Sequence, residues 1–150
     1  MPGQDDGNGY RVVAGVDGSP SSLAALRWAV RQAELTGGTV DAVMAWQSPA
    51  ASGLAWGEAV SDPADYQGLT AKALDEAVER AVSPDRTVRV RRLVGEGHPA
   101  DVLLDAAEGA DVLVVGSRGR GGFARALLGS VSQDCTFHAP CPVVVIREQE

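Results

Sequence analysis

Apolar positions along the chain switch between two spacings. Short valine-rich runs at 11–16, 40–46, 87–94, 111–115 and 142–146 alternate with longer stretches whose apolar residues recur every three to four positions. The run 11–16 has the pattern of a strand covered on both faces, as parallel strands are. Asp17, Gly18, Ser19 and Pro20 follow it; Ser19 is suited to cap a helix and Pro20 to its first turn. Leu23, Leu26, Val30 and Ala33 then share one helical face, and Gly37 and Gly38 end it. The unit repeats with a strand at 40–46 and a helix at 65–82 that turns Leu74, Ala77, Val78 and Ala81 inward. At 87–94, Val88 and Val90 alternate with Arg89 and Arg91, which predicts a sheet-edge strand with one wetter face. Pro99 opens a helix carrying Val102, Leu103 and Ala106, a fourth strand covers 111–115, a last helix lies within 129–138 and a fifth strand covers 142–146. Strands alternating with helices predict an α/β fold with right-handed crossovers and a parallel sheet.

The pattern fails in two places. Residues 1–10 are polar and glycine-rich and predict a flexible segment ahead of a single domain at 11–147, with 148–150 as a tail. The connection 47–64 is rich in Ala, Gly, Ser and Pro, and so long a connection in a compact domain is usually functional or mobile. It reads either as a flap whose Trp56 packs over a site or as a surface loop.

A chain of 150 residues buries roughly 70% of its unfolded surface, enough for a core without staples. Cys135 and Cys141 lack zinc-site spacing and are too few for a secreted disulfide framework, so reduced thiols in a cytoplasmic protein are expected. Apolar runs fall short of the ~20 residues that span a bilayer, and no membrane partner is expected. A net charge of −7 and a pI near 4.8 disfavour nucleic acid, because the overall field repels polyanions. The positive charge is uneven, however: Arg118, Arg120 and Arg125 occur between Gly116 and Ser130 with no acid among them.

That stretch carries the candidate chemistry. Glycines at 116, 119, 121 and 122, directly after the fourth strand, let the backbone approach a ligand and take positive φ angles, so that amides can face a phosphate-sized hollow. Gly129 and Ser130 stand where the last helix should begin, and free amides and the helix dipole favour an anion there. Open α/β sheets bind ligands beyond the carboxyl ends of their strands, where the strand order reverses. With strands one and four adjacent at that reversal, Asp17 and Gly116 face each other across the crevice. Asp17 then has two readings: a contact to a ribose hydroxyl or to a metal near the phosphates, or a turn residue bonded to its own backbone. Val43 to Ala45, at the end of the second strand, could bound a base. The glycine stretch also has the plainer reading of a flexible loop.

Other signatures are weaker. GxxxxGK[ST] is absent, and the one lysine, Lys72, lies on a helix away from the glycines. Gly119 to Ala124 matches GxGxxA, but it follows the fourth strand and lacks the later strand-end acid of a dinucleotide site. His98, before Pro99, suits helix capping, and His138, at helical spacing from Val131 and Cys135, suits packing. GxSxG and a triad order are absent, so no catalytic base is identified.

Taken together, these residues resemble the universal stress protein family of the UspA type. Its signature G-x2-G-x9-G-[ST] is matched by Gly116, Gly119, Gly129 and Ser130. The likeness extends over Val-Ala-Gly-Val-Asp-Gly-Ser at the start, Val94-Gly95-Glu96-Gly97-His98-Pro99, Ala110-Asp-Val-Leu-Val-Val-Gly116, and Cys141-Pro-Val-Val-Val. The resemblance implies a three-layer, doubly wound, five-stranded parallel sheet in the order 3-2-1-4-5, Rossmann-like and of the adenine nucleotide alpha hydrolase type. It also implies ATP binding, with magnesium. By position, Asp17 and the Val43 region would contact the nucleoside, Val115 and Gly116 the ribose side, and Gly119, Gly129, Ser130 and Val131 the phosphates, with Ser132 a further candidate. Asp17 would approach a metal only through Mg-ATP. The family also implies a homodimer through Val143–Ile146. Three functions follow: a nucleotide-dependent stress or regulatory module with slow or no hydrolysis; a weak ATPase or autokinase, with Ser130 or Ser132 handling phosphate; or a dimeric interaction protein holding another adenine nucleotide such as cyclic AMP.

Overall fold

A computed structural model describes residues 9–48, 63–118 and 128–147. The segment at 1–8, Trp56 and most of its connection, the 148–150 tail, and Gly119, Arg120, Gly121, Gly122 and Arg125 lie outside the described residues. The order is β1 (Arg11–Gly15), α1 (Pro20–Thr36), β2 (Thr39–Trp46), α2 (Pro63–Ala81), β3 (Val90–Glu96), α3 (Pro99–Ala106), β4 (Val112–Gly116), α4 (Ser130–His138) and β5 (Val143–Ile146).

The helix ends follow their local chemistry. Ser19 caps α1 by accepting the Ser22 N–H at 3.3 Å, and Pro20 takes the first helical position. Gly37 closes the helix in the left-handed region (φ 71°), donating its N–H to the Ala33 carbonyl. His98 occupies the N-cap position of α3, but its side chain makes no capping bond. His138 departs from the packing expected of it. It is the last residue of α4 and exposed, because the helix ends there and carries Phe137 and His138 out to solvent.

All strand pairs are parallel, and the sheet order is β3-β2-β1-β4-β5, the predicted 3-2-1-4-5. β1 meets β2 with Arg11 opposite Thr39, and meets β4 with Val12 opposite Val112. β3 is the edge strand its alternation predicts, although it begins later and continues through Gly95 and Glu96, because its ladder with β2 runs from Val40↔Val90 to Trp46↔Glu96.

Two cores give the three layers. On one face Val12, Ala14, Val40 and Ala42 meet Leu26, Val30 and Ala33 of α1 and Leu74, Ala77 and Val78 of α2; Ala81 is only partly buried. On the other, Val13, Val43, Leu113 and Val115 meet Leu103 of α3 and Cys135 of α4. Leu26, Leu74 and Leu113 are 0% exposed, and each fully buried leucine contributes roughly 1.5–3 kcal/mol. Strand order reverses between β1 and β4: β1 leads through α1 to β2 on one side, and β4 leads through α4 to β5 on the other. The carboxyl ends of β1 and β4 therefore diverge at the place where such sheets take ligands.

Candidate functional site

The rim of this crevice is built from two turns. After β1, Val16 donates its N–H to the Val43 carbonyl at 2.8 Å, Asp17 Oδ1 accepts the Ser19 N–H at 2.8 Å, and the Asp17 N–H reaches Ser22 Oγ at 3.2 Å. Asp17 thus performs the turn role. A carboxylate offers about four lone-pair sites, so this bond does not by itself decide between the two sequence readings.

After β4, Ser117 donates to the Ile146 carbonyl and accepts the Gly129 N–H, both at 2.8 Å. The second bond sets the start of α4 beside the end of β4. Ser21 on α1 joins the two turns: its hydroxyl donates to the Arg118 carbonyl at 2.5 Å and lies 3.4 Å from the Arg118 N–H. Asp17, Gly116, Gly129 and Ser130 consequently share one rim.

Gly116 is required for packing rather than for a positive φ: a Cβ there would collide with the hydroxyl and backbone of Ser21. Gly129, too, has ordinary angles (φ −66°, ψ 162°) as the N-cap of α4. The sequence expectation of a positive φ is therefore not met at Gly116, while Gly129 starts the last helix as expected.

The helix termini differ in what they offer. α1 satisfies its own cap through Ser19, and α3 carries Asp101 in its first turn. α4 has no capping side chain and no acid in its first turn. Among the described residues, no acceptor meets the backbone N–H of Ser130 or Val131. The Gly129 N–H is occupied by Ser117, and the Ser132 hydroxyl donates to the Gly116 carbonyl. Ser130 is exposed and Val131 half-buried. Unspent amides at the positive end of a helix dipole favour an anion.

Val43 and Val115 lie below the rim, 2% and 3% exposed, with their side chains in the α3–α4 core. Ala45 is the partly exposed residue next along that face of β2.

A second polar cluster, at the amino end of the sheet, was not anticipated from sequence. Asp41 is 0% exposed and paired with Arg11 at 2.8 Å and with Arg91 at 2.8 and 2.9 Å. Arg11 also donates to the carbonyls of Ala106 (3.2 Å) and Glu108 (2.6 Å). Burial pushes the Asp41 carboxyl up, but hydrogen bonds from Arg91 and Arg11 and their charges outweigh it and hold the group below its ordinary value. The same bond raises Arg91. The only hint in sequence is an acid within a valine-rich strand. In α4, burial and then the nearby Asp134 push the Cys135 thiol up to about 11. No helix among the described residues is long and apolar enough to cross a membrane.

The fold and rim define a doubly wound α/β domain with unspent backbone donors at its switch point. A profile of the universal stress protein family matches residues 10–147, and the chain belongs to that family. It is 37% identical over 147 residues to universal stress protein Rv2005c of Mycobacterium tuberculosis, a match covering 94% of this chain and 49% of the relative. The chain thus spans about half the length of the curated relatives it matches. Among solved structures it is similar to a universal stress protein in complex with cAMP (TM-score 0.66, 24% identity, 94% of this chain and 98% of the other). It is also similar to the universal stress protein of Archaeoglobus fulgidus in complex with dAMP (TM-score 0.60, 22% identity, 93% and 98%).

Proposed function

We propose that this domain binds an adenine nucleotide, by preference ATP, at the carboxyl rim between β1 and β4, and acts in the cytoplasm as a nucleotide-dependent stress-response module with slow or no hydrolysis. The observation that carries the reading is the uncapped, acid-free N-terminus of α4, tied to the end of β4 by the Ser117–Gly129 bond. The glycine and serine spacing of the ATP-binding signature supports it, as do the cAMP and dAMP complexes of structural neighbours. The donor set fits a phosphate: backbone N–H groups at a helix start, with no carboxylate in that turn.

In this reading Asp17 and the end of β2 beyond Val43 hold the nucleoside, and Val115 and Gly116 bound the ribose side. Gly119, Ser130 and Val131 meet the phosphates, with Gly129 shaping the turn. Ser132 contributes its backbone, because its hydroxyl serves Gly116. Among the described residues no group of three or more His, Cys, Asp or Glu is gathered to hold an ion, so magnesium would arrive on the triphosphate, near Asp17.

A homodimer through Val143–Ile146 belongs to the same proposal. That edge is wholly apolar and half-buried, whereas the opposite edge strand carries exposed Arg91 and Arg92 and is preceded by exposed Arg89, and charged edges resist strand addition.

Calorimetry with ATP tests the reading. Gly119→Ala should weaken binding about tenfold, because a methyl group would crowd the phosphate and restrict the backbone, with unchanged thermal unfolding. Equal affinity in both proteins counts against it. Tight cyclic AMP binding with weak ATP binding would select the interaction-protein alternative, and turnover lost on Asp17→Asn would select the ATPase or autokinase.

A further inference from the structure

Buried hydroxyls grip the same short piece of backbone from opposite faces of the sheet, Ser21 and Ser132 closely and the cap residue Ser19 at 3.5 Å from the Arg118 carbonyl. Ser21 on α1, 2% exposed, donates to the Arg118 carbonyl at 2.5 Å. Ser132 on α4, 4% exposed, donates to the Gly116 carbonyl. Neither bond is needed to start its helix: α1 is capped by Ser19, and Ser132 lies inside the first turn of α4. A buried hydroxyl is unfavourable unless bonded, and here each bond is made to the segment that turns into the crevice. The missing side chain of Gly116 is what lets Ser21 come this close.

Carbonyl oxygens carry partial negative charge, so an anion site needs them turned away while amides face the ligand. A carbonyl bonded to a helix-borne serine is held toward that helix. We propose that Ser21 and Ser132 are positioning residues that hold the Arg118 and Gly116 carbonyls off the phosphate chain, so that preference for phosphorylated over unphosphorylated adenine ligands depends on them. The inference rests on the nucleotide reading above.

Calorimetry of wild type, Ser21→Ala and Ser132→Ala with ATP and with adenosine tests it. For each variant the ATP dissociation constant should rise about tenfold, the effect of one lost hydrogen bond to the site, while adenosine affinity stays unchanged. Equal losses for both ligands, or no loss for either, overturn the proposal, because a general structural role would not separate them. Hydrogen exchange in the ligand-free protein gives a second readout. The Arg118 amide should exchange faster in Ser21→Ala while the amides of β1 keep their protection, and an unchanged Arg118 rate overturns the positioning role. Wild type that binds neither ligand would overturn the nucleotide reading and the phosphate preference together, and the exchange result would still show whether Ser21 orders this backbone.

Discussion

At the amino end of the sheet, Asp41 is fully buried and takes hydrogen bonds from Arg11 and Arg91. At the carboxyl end, α4 begins with neither a capping side chain nor an acid. Both ends concentrate polar groups, but only the amino end answers its buried charge with opposite charge. Its bonds join β1, β2, β3 and carbonyls at and just past the end of α3, so it fastens the structure. The carboxyl end spends hydroxyls on carbonyls and leaves amides over. A buried charge with full pairing therefore marks a structural site here, and leftover donors on a bonded frame mark the rim where the proposed nucleotide would sit.

The largest effect expected from breaking this division is at Asp41. Asp41→Ala leaves two arginines without their shared partner, and breaking a buried pair costs about 3–5 kcal/mol; with Arg91 half-exposed (50%), about 3 kcal/mol in urea unfolding is expected. Nucleotide affinity of the folded fraction should not change, and an affinity loss matching that of the crevice variants would erase the distinction between the two ends.

Gly116→Ala should come next, with both stability and ATP affinity falling. The added methyl meets the backbone of Ser21, which cannot swing aside, and overpacking of this kind costs about 1–3 kcal/mol. Thermal unfolding and calorimetry on the same preparation would check it.

A smaller effect should appear in acid. Against burial, hydrogen bonds from Arg91 and Arg11 hold the folded Asp41 carboxyl below the ordinary aspartate value, so its stabilisation is fully present above that ordinary value and is lost as pH falls through the lower folded value. Asp41→Asn should flatten this acid limb in unfolding measured from pH 5 to 2. An identical slope in wild type and variant would assign the acid sensitivity to other carboxylates.

The smallest effect is chemical. At pH 8 a thiol reagent should label Cys141 and spare Cys135, whose thiol is buried and raised to about 11. Comparable labelling of both would mean that α4 is not seated against the sheet, and that the leftover amides at its start are not held in place.

The elements were legible because local chemistry agreed with them: Ser19 and Pro20 start α1, Gly37 stops it, and Leu23, Leu26, Val30 and Ala33 all prove buried. Sheet order came from family resemblance, since strand alternation alone admits several orders. The placement of Gly116, Gly129 and Ser130 on one rim with Asp17 followed from that order and from the signature. Asp41 was not legible, because its partners lie 30 and 50 positions away and no local pattern links them. Ser21 stood undistinguished beside Ser19 and Ser22 until the fold brought Arg118 to it. His138 misled because its helical spacing was correct while the helix ended too soon for it to pack.

A backbone bond ties Ser117, just past the end of β4, to Gly129 at the start of α4. A neck of that kind confines the entropic cost of whatever lies between, which grows only slowly with length. The register of β4 against β5 is set by its own ladder, from Leu113↔Val143 to Gly116↔Ile146.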